Sequence, residues 1–255
     1  MTYNLAVRTF RHKKVHKMNS DNSGPATKKH KSASPDRVIG VVFTLSAPSK
    51  VKQAGNALLS LFDPLQLDDP SDKPCDANRS VSDAIADELR ELTKSKKRFK
   101  FSCELSRGVG LIGFSKGLVP SEFVYDLLFN RCPHVPPLFV CRIDPVDVVC
   151  APNLVSFESV CVPAIAAKFK SLQHDVTWKV VYDKHGESNL SKDKAIDLIQ
   201  SVIEDRHEVS IHSPDITIMI HIFQSMLGVG FLRDYDKLCE YNIRKLVASR
   251  LQNVE

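Results

Sequence analysis

Three sets of residues in this chain have the types and spacing to do chemistry: a glycine trio, clustered cations, and a scatter of carboxylates, histidines and cysteines. Gly108, Gly110 and Gly113 spell G-x-G-x-x-G directly after an alternating stretch. In that pattern, backbone amides at a helix start hold a pyrophosphate. The chemistry needs a helix to open at the second glycine. Here Leu111-Ile112-Gly113-Phe114 continues the apolar run, and the next helix signal waits until Pro120. The spacing therefore predicts a β-hairpin closed by Ser106-Arg107-Gly108. The same residues nearly fit an acetyl-CoA loop, with Arg107 first and Gly110 fourth, but Ile112 stands where a bare backbone must let phosphate approach.

Metal and acid–base chemistry find less support. The seven cysteines (Cys75, Cys103, Cys132, Cys141, Cys150, Cys161, Cys239) are odd in number and contain no C-x-x-C pair, so buried free thiols are expected rather than disulfides or zinc. His207, His212 and His221 lack H-x-x-x-H spacing, and His12 and His16, which have it, lie where no core can hold them. No Walker loop, G-x-S-x-G elbow or H-E-x-x-H is present. Asp144, Asp147, Asp183 and Asp193 fall at turns and caps, where solvation or capping accounts for them. No metal, cofactor or catalytic constellation is expected.

The cations are unevenly spread. Residues 1–37 hold nine Lys or Arg against two acids, so they carry +7 of a total of +5 and leave −2 for the remaining 218 residues. RNA or DNA bound by the folded part must therefore meet a local patch, because the net charge supplies no attraction. The basic N-terminus, 1–36, has almost no apolar periodicity and reads as a disordered tail. Its Lys28-Lys29-His30-Lys31 run is a candidate import signal or phosphate-binding arm, with a solvated tail or a mitochondrial presequence as other readings. No apolar run approaches the roughly 18 residues of a membrane span. An intracellular protein is expected, nuclear or nucleolar if the tail is an import signal and otherwise cytoplasmic.

The elements that must position these groups come from periodicity. Val38 to Leu45 reads as a buried strand, followed by a helix capped by Ser46 with Val51, Ala54, Leu58, Leu59 and Phe62 on one face. A helix from Ser80, a strand through Phe99 to Leu105, the Val109–Phe114 strand, a helix from Pro120 and a strand over Leu138–Ile143 follow. Strand, helix, strand, strand, helix, strand is the split βαβ order of a ferredoxin-like unit. Beyond it, Asn153–Phe169 reads as a helix kinked or divided at Pro163. Trp178, Val180 and Tyr182 alternate in a strand, and Ser191 caps a helix with Ala195, Ile196, Ile199, Val202 and Ile203 in one stripe. Ile216, Ile218, Ile220 and Ile222 alternate with Thr217, Met219 and His221, as in a strand with one buried face, and Val229 and Phe231 close a hairpin.

The series Thr177-Trp178-Lys179-Val180-Val181-Tyr182-Asp183-Lys184, then Ser191 with its helix, then Glu208 to Asp215 before the isoleucine strand, resembles a THUMP domain. The trailing Arg233-Asp234-Tyr235 and Tyr241-Asn242 are similar to the THUMP-only adaptors of tRNA cytidine acetylation. The resemblance covers about residues 37–246 and implies an α/β (α+β) protein: a disordered tail over 1–36, a ferredoxin-like domain over 37–144 packed on a THUMP domain over 145–236, and a helical tail over 237–255. It further implies a partner pair, tRNA and a separate RNA cytidine acetyltransferase that makes N(4)-acetylcytidine in the D-arm of Ser and Leu tRNAs. The chain's end at Glu255, some twenty residues past the last strand, leaves no space for a catalytic domain, so a non-catalytic adaptor is expected. A nucleotide-dependent RNA-modifying enzyme using the Gly108–Gly113 loop, or a protein-interaction module with a basic tail, are the alternatives. Phosphate contacts are expected from Lys94, Lys96, Lys97, Arg98 and Lys100 in the first domain. In the second they are expected from Lys184, Lys192, Lys194 and Arg206, with Asp183 and Glu187 weakening the patch around Lys184.

Overall fold

The structure, a computed structural model, describes residues 38–63 and 98–252. The apolar run after Val38 forms β1 (Gly40–Leu45), in which Val41, Val42 and Phe43 are fully buried because both faces of the strand are covered. Helix α1 (Val51–Phe62) turns Val51, Ala54, Leu58 and Phe62 inward at helical spacing. Ser46 is not its cap: the hydroxyl donates to the Phe139 carbonyl at 3.3 Å, and a short turn at Pro48–Lys50 leads into the helix instead. The helix expected from Ser80 lies outside the described residues.

The hairpin reading of the glycine trio holds. Strands β2 (Phe99–Ser106) and β3 (Val109–Phe114) pair antiparallel across a turn in which Gly108 has φ +80°. Gly110 lies within β3, where a Cβ would run into the ring of Phe43, so its bareness serves packing. Helix α2 (Pro120–Phe129) and β4 (Val140–Val146) complete an antiparallel sheet in the order β2-β3-β1-β4. A split βαβ unit produces this order, because each crossover helix leaves a gap that the other half fills. Phe62, Phe99, Phe114 and Phe123 interlock in its core, with ring centroids as close as 4.8 Å between Phe99 and Phe114.

The second sheet has the order β5-β9-β8-β6-β7, built from β5 (Val148–Cys150), β6 (Thr177–Lys184), β7 (Glu208–Val209), β8 (Ile216–Ile222) and β9 (Leu227–Arg233). Strand β6 runs parallel to β7 and β8, and β8 and β9 form the expected hairpin. The helical stretch after Asn153 is divided: Leu154–Ser156 and a widened turn, Phe157–Cys161, precede α3 (Val162–Lys170). Pro163 sits just past that turn, and its missing N–H cannot serve the carbonyl four residues back. Helix α4 (Lys192–Gln200) is capped as expected, the Ser191 hydroxyl accepting from the Lys194 N–H at 3.2 Å.

One expectation for β8 is corrected. Its isoleucines face α3 and α4 in a cluster with Phe169, Trp178 and Ile199, but the reverse face is equally buried, leaving all seven residues inaccessible. The first sheet's half of the molecule lies against that reverse face. Met219 and Leu232 share one apolar cluster with Val124, Leu127 and Ile143. Helix α5 (Ile243–Gln252) adds Ile243, Leu246 and Val247 to the same cluster. Alternation reports that two faces differ, and here isoleucine meets helices while Thr217, Met219 and His221 meet a second sheet.

Candidate nucleic-acid interface

The expected cations fall in separate places. Lys94, Lys96 and Lys97 lie outside the described residues. Arg98 and Lys100, at the start of β2, line an open depression with Val38, Ser102 and Ser115. Lys184 ends β6, and Lys192 and Lys194 open α4 after a seven-residue loop, so topology brings these three to the carboxyl end of the second sheet, all of them exposed. Arg206 belongs to the opposite end. Its guanidinium pairs with Glu204 at 2.7 Å and Asp175 at 3.5 Å, and donates to the Leu172 carbonyl at 2.9 Å. It ties the segment after α4 to the segment before β6.

The loop between β6 and α4 is held at several points. The His185 N–H donates to the Ile222 carbonyl at 2.7 Å, and Lys184 Nζ to the Ser188 carbonyl at 3.2 Å. The Asn189 side chain accepts from the Leu154 N–H at 2.8 Å. At Gly186 the chain passes so close to the Phe223–Gln224 backbone that no Cβ would fit. Lys184, His185, Gly186, Glu187 and Gln224 surround an open depression of about 530 Å³ at this end of the sheet.

Beneath it runs a chain of charges that the sequence reading did not assemble. The Asp183 carboxylate accepts a hydrogen bond of 2.9 Å from His185 Nε2, which fixes that nitrogen as the N–H because a carboxylate only accepts. Its other neighbour is His221, whose Nδ1 lies 3.4 Å away, while His221 Nε2 lies 3.4 Å from Asp144. Asp144 in turn lies 3.5 Å from Arg142, which donates to the Tyr235 hydroxyl at 2.8 Å. His221 and Asp144 are each only 1% exposed. The two His221 contacts are ion pairs rather than aligned hydrogen bonds, for neither of its nitrogens has a bonding partner of good geometry.

Electrostatics set the charge states. Burial alone would lower the His221 pKa, but the carboxylates of Asp144 and Asp183 outweigh it and lift the value to about 9, so the ring is an imidazolium at neutral pH. Burial alone would raise the Asp183 carboxyl, yet the His185 hydrogen bond and then His221 hold it well below the usual carboxylate range. Asp144 and Asp183 are thus neither turn nor cap residues as expected: they stand on different sheets and grip one cation between them. Asp147 does cap, its two oxygens accepting from the Ser121 N–H at the start of α2 (2.9 Å) and from the Phe231 N–H on β9 (3.1 Å). The available signal was His221 itself, an ionisable residue inside a strand of isoleucines. Among the described residues, no group of three or more His, Cys, Asp or Glu is placed to hold a metal ion, and no helix is long and apolar enough to cross a membrane.

Residues 153–231 match the THUMP domain, from the helical stretch that begins at Leu154 into β9. The C-terminal half of the chain holds a THUMP domain. No curated protein matches the chain in sequence. Solved structures with a similar arrangement include PH1313 from Pyrococcus horikoshii, at 14% identity and TM-score 0.41 over 76% of this chain and 55% of that one. TrmN from Thermus thermophilus matches at 8% identity and TM-score 0.40, covering 75% of this chain and 44% of its own. A 4-thiouridine synthetase in complex with RNA and ATP matches at 10% identity and TM-score 0.39, covering 77% and 42%. The chain spans about half the length of these structures.

Proposed function

We propose that this protein is a tRNA-binding adaptor without catalytic chemistry of its own. In this reading it presents tRNA to a separate RNA cytidine acetyltransferase that forms N(4)-acetylcytidine in the D-arm of Ser and Leu tRNAs. The observation that carries the reading is the THUMP domain at 153–231, since the resemblance to THUMP proteins implies tRNA binding. Exposed Lys184, Lys192 and Lys194, gathered at one end of its sheet, supply the cations that phosphate contacts require. Arg206, occupied by Glu204 and Asp175, contributes less than its charge suggests.

Deleting the gene and measuring acetylcytidine in Ser and Leu tRNAs is the deciding experiment; loss is expected, and unchanged levels would sink the adaptor role. Binding to tRNA should weaken with salt, log K falling by about 0.7 to 0.9 per decade of salt for each phosphate neutralised. Replacing Lys184, Lys192 and Lys194 together by Gln should flatten that slope by about 2 to 3. A slope that does not change would move the contact surface elsewhere.

A further inference from the structure

We propose that the depression at the carboxyl end of β6 holds one unpaired nucleotide of the bound RNA, its base stacked on the outer face of His185. The inference rests on the RNA-binding reading and gives it a specific site. Three rings pack together at this end of the sheet, His221 and Phe223 two residues apart along the chain and His185 beside Phe223 across the strands. His221 lies over Phe223 with centroids 6.0 Å apart and planes 20° from parallel, and His185 covers Phe223 at 5.1 Å and 4°. Phe223 is 1% exposed within an apolar cluster, and the His185 side chain stacked on it keeps 34% of its surface open at the depression. A flat, partly exposed ring is a platform on which unpaired bases stack, because every base has a π-face.

The platform is pre-set. Asp183 holds His185 Nε2, the Ile222 carbonyl holds its backbone N–H, and Gly186 locks the following chain against Gln224. A base landing there therefore costs little ordering of the protein. The surrounding groups fit the rest of a nucleotide: Lys184 offers an ammonium to the phosphate, and the Gln224 amide can both give and accept at a base edge. Glu187 only accepts, which favours a donating group of the base there and disfavours a phosphate in its place. The depression is open to solvent, with a volume of about 530 Å³. Its position outside the carboxyl ends of parallel β6 and β8 is where open sheets containing parallel strands take ligands.

The test uses the full chain and a short single-stranded RNA carrying the fluorescent base 2-aminopurine, with intact tRNA as a competitor. Stacking on His185 should quench the fluorescence on binding. His185→Ala should abolish the quench and weaken binding about 5- to 150-fold, whereas His185→Phe, which keeps the flat ring but not the bond to Asp183, should keep the quench. Quench that survives in a folded His185→Ala protein overturns the proposal, as does tight binding of the oligonucleotide without any quench. If His185→Ala does not fold, His185→Phe decides: loss of quench in that folded variant overturns the site. If neither the oligonucleotide nor tRNA binds the wild type, the RNA-binding reading fails and the site with it. Binding without stacking fails the site alone.

Discussion

His221 carries a positive charge in a place almost without water, and its neighbours explain why it keeps it. Asp144 and Asp183 each lie 3.4 Å from one of its nitrogens, so protonation trades one desolvated cation for two ion pairs. Removing one carboxylate should be felt at the imidazole first. Asp144→Asn should bring the His221 pKa down from about 9 toward 6.5, readable as a shifted imidazole titration in two-dimensional NMR. Stability should fall by about 3 to 5 kcal/mol, less whatever His221 recovers by releasing its proton. An unmoved titration would mean that Asp183 alone sustains the charge. Arg142 limits the damage in one respect, since its bond to Tyr235 remains when Asp144 is neutral.

At the scale of the element, β8 is the strand on which both halves depend. Ile218 faces Trp178 and Ile199 with no exposed surface, so Ile218→Asp would bury a charge with no partner. Thermal denaturation should show a loss of about 4 kcal/mol or more, the range of severe core defects; a stable variant would refute the strand's central place. The period of two made β8 and its hairpin legible in the sequence, while turn and capping residues did so for the Gly108 turn and the Ser191 cap. It could not report that Thr217, Met219 and His221 are covered too, because alternation distinguishes faces without saying what lies against them. Strand β5, only three residues long, and the left-handed turn over Cys239, Glu240 and Tyr241 have no periodic signature. That turn is set by Tyr241, fully buried and donating to the Arg233 carbonyl at 3.0 Å, a partner eight residues back. The candidate interface was legible as a set of lysines but not as a place: the stack of His185 on Phe223 joins a loop to a hairpin turn, and no local pattern encodes a contact between them.

Across the whole molecule the charge chain makes stability a function of pH, and the two ends of the curve have different owners. The raised pKa of His221 means the folded state holds its proton more tightly than the unfolded chain, whose ordinary value is 6.5. Its contribution is therefore complete below about pH 6.5 and is lost as pH rises through about 9. Asp183 works in the opposite sense. Its depressed carboxyl stabilises fully above the ordinary 3.8 and loses that contribution as pH falls below it. The groups facing His221 are Asp144 on β4 and Asp183 on β6, with Arg142 and His185 one step further, so the alkaline loss falls on the contact between the two sheets. Thermal midpoints should hold a plateau between about pH 4.5 and 6.5 and then decline toward pH 9.5. In His221→Gln the alkaline decline should flatten at a lower overall stability, because an amide neither carries the charge nor loses it. A wild-type curve flat from pH 6.5 to 9.5 would show that the His221 charge contributes nothing to the contact between the two sheets.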